Sequence, residues 1–256
     1  ASLTTAQVSN LTTAQMAGLE TADVKALTSD QFKAIGSAQL GALSSEQLAV
    51  IETADLTQIS TNALRGIASE NIDAFSSDQI KALTTAQFQN LTTQQLKGLT
   101  TEQMAAMETE DLRALTTAQI RGLATDQLNA LSSDQIASLT TAQVSNLTTA
   151  QIAGMETADV KALTSDQFKS IGSAQLGAMG SEQLAAIDTA DLTQITTAAL
   201  RGLTSENIDA FSSEQIRAFG TAQFQSLTTQ QLKGLSTEQM AAMETEDLRA
   251  LTTAQI

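Results

Sequence analysis

The chain has 256 residues, with 13 Lys and Arg against 28 Asp and Glu, and it contains no Cys, His, Pro, Trp or Tyr. Without Cys and His there is no thiol nucleophile, Ser-His or Cys-His dyad, zinc cluster, iron–sulfur site, histidine-ligated haem or disulfide framework. A formal charge of −15 has the wrong sign for gripping a phosphate backbone, so nucleic acid is not an expected partner. No apolar run reaches the length of about 18 residues that spans a bilayer, so membrane insertion is not expected either.

From Leu3 the chain reads LTTAQVSN, LTTAQMAG, LETADVKA, LTSDQFKA, IGSAQLGA, and so on with a period of eight. Thirty-one full octads run from Leu3 to Ala250, and LTTAQI closes the sequence. Position one is Leu, Ile, Met or Phe in all 32 units, and position six is Val, Met, Phe, Leu or Ile in all 32. All seven Phe and all seven Met occupy these two positions. That strictness predicts a shared dry core, with the Met residues filling it rather than binding metal. Position three is Ser or Thr in every unit, and position two is Ser or Thr in 20. A hydroxyl ahead of a helix-forming stretch predicts an N-cap. Invariance favours position three as the cap. The box S/T-x-x-Q, with a hydrophobic staple between positions one and six, favours position two.

The third octad, LETADVKA (19–26), introduces a variant. Six units carry an acid at position two (Glu20, Glu52, Glu108, Glu156, Asp188 and Glu244), and all six carry Asp at position five (Asp23, Asp55, Asp111, Asp159, Asp191 and Asp247). Asp is found at position five nowhere else. Paired carboxylates on a turn suit a hard cation such as calcium, but two carboxylates three residues apart supply too few oxygens. The preferred reading is an alternative helix start, with the position-three Thr taking over the cap. All 13 Lys and Arg fall at position seven, and 26 of the 28 acids at positions two, four or five. Acids favour helix N-termini and bases favour C-termini, so this sorting predicts one helix beginning and ending inside every octad.

Further along, ISTNALRG (59–66) and IASENIDA (67–74), with their copies at 195–210, lose the Gln or Asp of position five. Arg65, Asp73, Arg201 and Asp209 are therefore the candidate binding residues, as exposed charges on non-repeating units. The competing reading is a local corner adjustment. Residues 1–120 match residues 137–256 at an offset of 136, or 17 octads, with 17 differences. Seventeen octads preserve no strict two- or three-octad alternation, so each unit is close to equivalent to its neighbours. With no linker or composition shift, residues 1–256 read as a single continuous array grown by duplication, without an internal domain boundary.

A single long helix does not fit, because apolar positions would drift by about 80° per octad around the rod. A β-solenoid is the alternative fold, but apolar spacings of five and three are not strand alternation. The predicted fold is an all-α solenoid of very short helices, about six residues each, with two to four octads per coil.

The LTTAQ, LTTEQ and LSSDQ octads resemble the repeat regions of very large bacterial proteins labelled as haem-utilisation or adhesion proteins. The resemblance covers the whole chain and implies a bacterial, extracellular or cell-surface location within a longer chain. It implies a structural or adhesive role. The haem part of the label finds no ligating His, Cys or Tyr here, and no cofactor or metal is expected. The leading expectation is a spacer or stalk. The alternatives are a solenoid surface that recognises a protein, peptide or glycan, or end-to-end assembly into filaments. An enzyme is not expected, because every acid recurs at regular positions without a distinct base or pocket.

Overall fold

The computed structural model describes residues 3–256 and contains 31 short helices of three to six residues, two of them 3-10, with no strand among those residues. The fold is all-α, one helix to an octad, and the β-solenoid is not what forms. The helices divide into two compact units, Ala1–Leu131 and Ser132–Ile256.

Most of the helices start the same way, and the structure settles which hydroxyl caps them. At Thr93–Gly98 the N-cap is Thr92, with φ −72 and ψ 157. Its hydroxyl accepts from the Gln95 N–H at 3.1 Å, and the Gln95 Oε1 accepts from the Thr92 N–H at 2.9 Å. Position two is therefore the cap, position three is the first helical residue, and the position-five Gln closes the box. Where position two is Gly, as at Gly36 and Gly172, the hydroxyl half is lost. The returning Gln bond persists at 2.9 Å in both. A helix this short gains little from its own propensity, so the cap contributes a large share of its local stability. Thr92→Ala is expected to cost about 1 kcal/mol in urea denaturation. A loss below about 0.3 kcal/mol would count against this role for the cap.

The acid-bearing octads keep the same boundary, which corrects the expected shift of the cap to position three. Glu20 and Glu156 remain N-caps in extended conformation, and Thr21 and Thr157 remain the first helical residues. The Glu side chains make no cap bond. Only the Asp half of the box forms, from the Glu20 N–H to Asp23 and from the Glu156 N–H to Asp159, both at 3.3 Å. A Glu side chain is too long to fold back where Ser or Thr does.

Within each unit a helix packs on the helix three octads behind. Ser37–Leu40 meets Thr61–Leu64 and Thr93–Gly98 meets Thr117–Gly122 in the first unit. Ser133–Ser138 meets Thr157–Ala162 and Ser213–Ala218 meets Thr237–Ala242 in the second. One coil thus takes three octads, inside the predicted range. The core is the stacked position-six side chains, 0–1% exposed from Val8 to Phe224, with position one beside them. In the second unit Phe219 stands between Phe211 and Phe224 in edge-to-face contacts at 5.3 and 5.8 Å.

Candidate binding surface

The position-five side chain is where sequence reading fell furthest short. Gln sits there in 22 of the 32 octads, and interior copies are buried. Its Oε1 serves the capping box, but its Nε2 points across to the coil behind. Gln95 donates to the Leu64 and Ile67 carbonyls, both at 2.8 Å. Gln175 donates to Val144 at 2.9 Å and Leu147 at 2.8 Å. One amide therefore caps its own helix and also binds two carbonyls of the preceding corner, 31 and 28 residues back. The Leu64 and Val144 carbonyls also accept the Ile67 and Leu147 N–H groups, both at 3.1 Å, whereas the Ile67 and Leu147 carbonyls lie past the helix end, where backbone acceptors lack intrahelical partners.

Asp cannot do this, because a carboxylate donates nothing. At four of the six Asp octads it takes the invariant position-three hydroxyl instead. Thr85 donates to Asp111 and Thr221 to Asp247, both at 2.7 Å, and Ser29 and Ser165 donate in the same way to Asp55 and Asp191. Asn71 receives the Ser45 hydroxyl at 3.2 Å. The position-three hydroxyl is thus a partner held ready for a short acceptor three octads ahead. Burial pushes the Asp111 carboxyl above its ordinary range, with Glu108 and Glu110 adding to the rise and the Thr85 hydroxyl opposing it. Asp159 is also raised, first by burial and then by Glu156, against the bond from the Glu156 N–H. Among the described residues no group of three or more acids is gathered as for a metal ion.

The four sequence-predicted site residues are all exposed. Arg65 and Arg201 form the C-caps of Thr61–Leu64 and Thr197–Leu200. Asp73 and Asp209 lie in the two 3-10 helices, Ser69–Ala74 and Ile208–Ala210. Their backbone carbonyls accept from Gln103 at 3.1 Å and Gln239 at 2.9 Å. No ion pair brings Arg65 to Asp73, or Arg201 to Asp209. What distinguishes these octads is close packing. Position five is the buried Ala63 or Ala199, and the coils close until Gly66 touches the Ser37 carbonyl and Gly202 the Ser173 carbonyl.

A different surface recurs in both units. In the first, a groove of about 530 Å³ follows stacked corners, with Lys25, Glu52, Thr53, Ser76 and Asp78 among its lining. In the second, an equivalent groove of about 540 Å³ has Lys161, Asp188, Thr189, Ser212 and Glu214 at the matching positions. Of the 17 differences between the two sequence copies, three fall at charged residues: Glu52/Asp188, Asp78/Glu214 and Lys81/Arg217. Each keeps its sign. The first two line the groove, and Arg217 lines an adjoining hollow with Thr189 and Glu214. Comparing the two copies charge by charge is the signal that would have found this surface from sequence.

No helix among the described residues is long and apolar enough to cross a membrane. A family model described as the ALTTAQ repeat matches the chain at residues 16–50, 48–85, 80–108, 104–141, 152–186, 184–219 and 215–243. No curated protein matches it.

Proposed function

The chain belongs to the ALTTAQ repeat family, and from that premise we propose that it is a non-enzymatic structural spacer or stalk in a large bacterial surface or secreted protein. The observation that carries this reading is that each interior coil is built from its own octads alone. Most octads bring a cap, a staple and a side chain that binds the coil behind, as Thr92, Leu91 and Gln95 do in LTTQQLKG. Whole coils can therefore be added or removed by duplication without designing a new interface, which is how a quasi-one-dimensional protein sets a length. The surface location and the adhesin-like context rest on the resemblance of LTTAQ-type octads to such repeat regions.

The test is to delete one, two or three coils of three octads and follow the maximum dimension by small-angle X-ray scattering. Equal decrements with retained helicity are expected. In the parent protein, function should fall gradually with length, and abrupt loss on removing one particular coil would overturn the spacer.

The recurring groove favours a second reading, a binding module for a partner protein. It keeps the sign of each charge while exchanging side-chain length, as an exposed ionic rim requires and a fitted pocket does not. Because it holds both signs, it suits a mixed-charge protein surface rather than a polyanion. Charge reversal at Glu52, Asp78, Asp188 and Glu214 should abolish adhesion of the parent if this reading holds. Unchanged adhesion would reject it. Reversal at Arg65, Asp73, Arg201 and Asp209 tests the residues first read from the sequence in the same way.

A further inference from the structure

The acid-bearing octads pose a question that the spacer leaves open. At position five, where Gln knits one coil to the next, Asp111 and Asp159 are only 5% and 6% exposed. As carboxylates they can only accept. Asp111 takes the Thr85 hydroxyl, and the Ile80 and Leu83 carbonyls, which correspond to those Gln binds elsewhere, receive no amide from it. Asp159 takes the Glu156 N–H at 3.3 Å.

Negative neighbours surround both. On its own helix Asp111 has Glu108, Glu110 and Arg113, while the helix behind, Thr85–Asn90, carries no charged residue. Asp159 has Glu156 and Lys161 on its own helix and its cap. The helix behind, Ser133–Ser138, contributes Asp134, and the helix ahead, Ser181–Ala185, contributes Glu182. Each site places a buried charge among acids, and Asp111 stands where Gln elsewhere supplies N–H donors to the corner behind.

We propose that these octads are proton-operated seams, in which uptake of one proton turns the position-five Asp from a buried charge into an O–H donor that ties its coil to the coil behind. Protonation removes the burial cost of the charge and its repulsion by the adjacent Glu side chains in one step. It also supplies a donor of the kind that Gln supplies at most other octads. The array would then tighten locally in acid, at these octads and not along its whole length. The elevation of both carboxyls above the ordinary value of 3.8, caused first by burial, supports this. The sign follows from linkage. A folded-state pKa above the unfolded one means that the fold binds the proton more tightly. The seam therefore gains stability as pH falls through the folded value, holds all of it below 3.8, and loses it as pH rises.

Hydrogen exchange followed by mass spectrometry, corrected for intrinsic rates between about pH 7 and pH 4, tests the seams in the whole chain. Protection of residues 107–114 and 155–162 should rise on acidification, by about tenfold for each unit of pKa elevation. Asp111→Gln and Asp159→Gln should show that protection already at neutral pH, with the local pH response gone. Residues 91–98, which carry Gln95, are the internal reference. Flat or falling protection in the unmodified chain overturns the proposal. So does an equal pH response in the Gln variants, which would assign the effect to the net charge of the whole chain. Carbon-13 titration of the Asp111 and Asp159 carboxyls needs no variant, and values at or below 3.8 would also overturn it.

Discussion

Gln95→Leu is expected to destabilise the chain by about 2–6 kcal/mol, although the new side chain is as apolar as the core beside it. The substitution strands two backbone groups, the Thr92 N–H and the Ile67 carbonyl, and takes one of two donors from the Leu64 carbonyl, which keeps the Ile67 N–H at 3.1 Å. Each backbone group stranded away from water costs about 1–3 kcal/mol. Gln95 is 2% exposed, so water cannot readily replace the amide. Two of the three bonds cross between coils, and in a repeat protein such interface terms carry cooperativity. Urea denaturation should therefore show a lower midpoint and a broader or split transition. Gln95→Glu should be worse at neutral pH, because it removes both N–H donors and buries a charge, and it should recover partly in acid. Gln7→Leu is the control: Gln7 is exposed and holds only its own box, accepting from the Thr4 N–H at 2.8 Å. If Gln95→Leu cost no more than Gln7→Leu, the amide bridge would not be what holds the coils together.

The second large effect is expected where two coils touch through backbone alone. A methyl at Gly66 would fall on the Ser37 carbonyl, and one at Gly202 on the Ser173 carbonyl. Neither residue has a left-handed backbone, so the need for glycine comes from the neighbouring coil and not from its own φ. Gly66→Ala must push octads 35–42 and 59–66 apart, and overpacking of this kind costs about 1–3 kcal/mol or more. Gly36, in the octad that Gly66 packs against, provides the contrast. A Cβ there would find only the Gln39 Oε1 at 3.8 Å, so Gly36→Ala should change stability by less than about 0.5 kcal/mol. Gly36→Ser should add a few tenths by restoring the cap. Equal effects at Gly36 and Gly66 would mean that the close approach does not limit the packing.

The eight-residue period, read with no more than hydrophobic and capping rules, determined the all-α class, the one-helix octad and the core at positions one and six. These are local matters: a staple, a box and a charge gradient each act within eight residues, so their causes lie side by side in the chain. LTTQQLKG contains its own cap in Thr92 and Gln95 and its own staple in Leu91 and Leu96. Three octads to a coil were decided only in three dimensions, because that number depends on how one corner sits over another 24 residues away. The same holds for the second role of Gln95, whose partners Leu64 and Ile67 lie 31 and 28 residues back. It holds too for the invariant hydroxyl at position three, whose acceptor is three octads ahead, as Asp111 is for Thr85. Arg65 and Asp73 stood out in the sequence because their octads break the local pattern at position five. The groove at Lys25, Glu52 and Asp78 did not, because its residues obey the pattern and meet only where successive coils stack. Periodicity reports what repeats along a chain, and the charges and hydrogen bonds between coils are set by the distance across it.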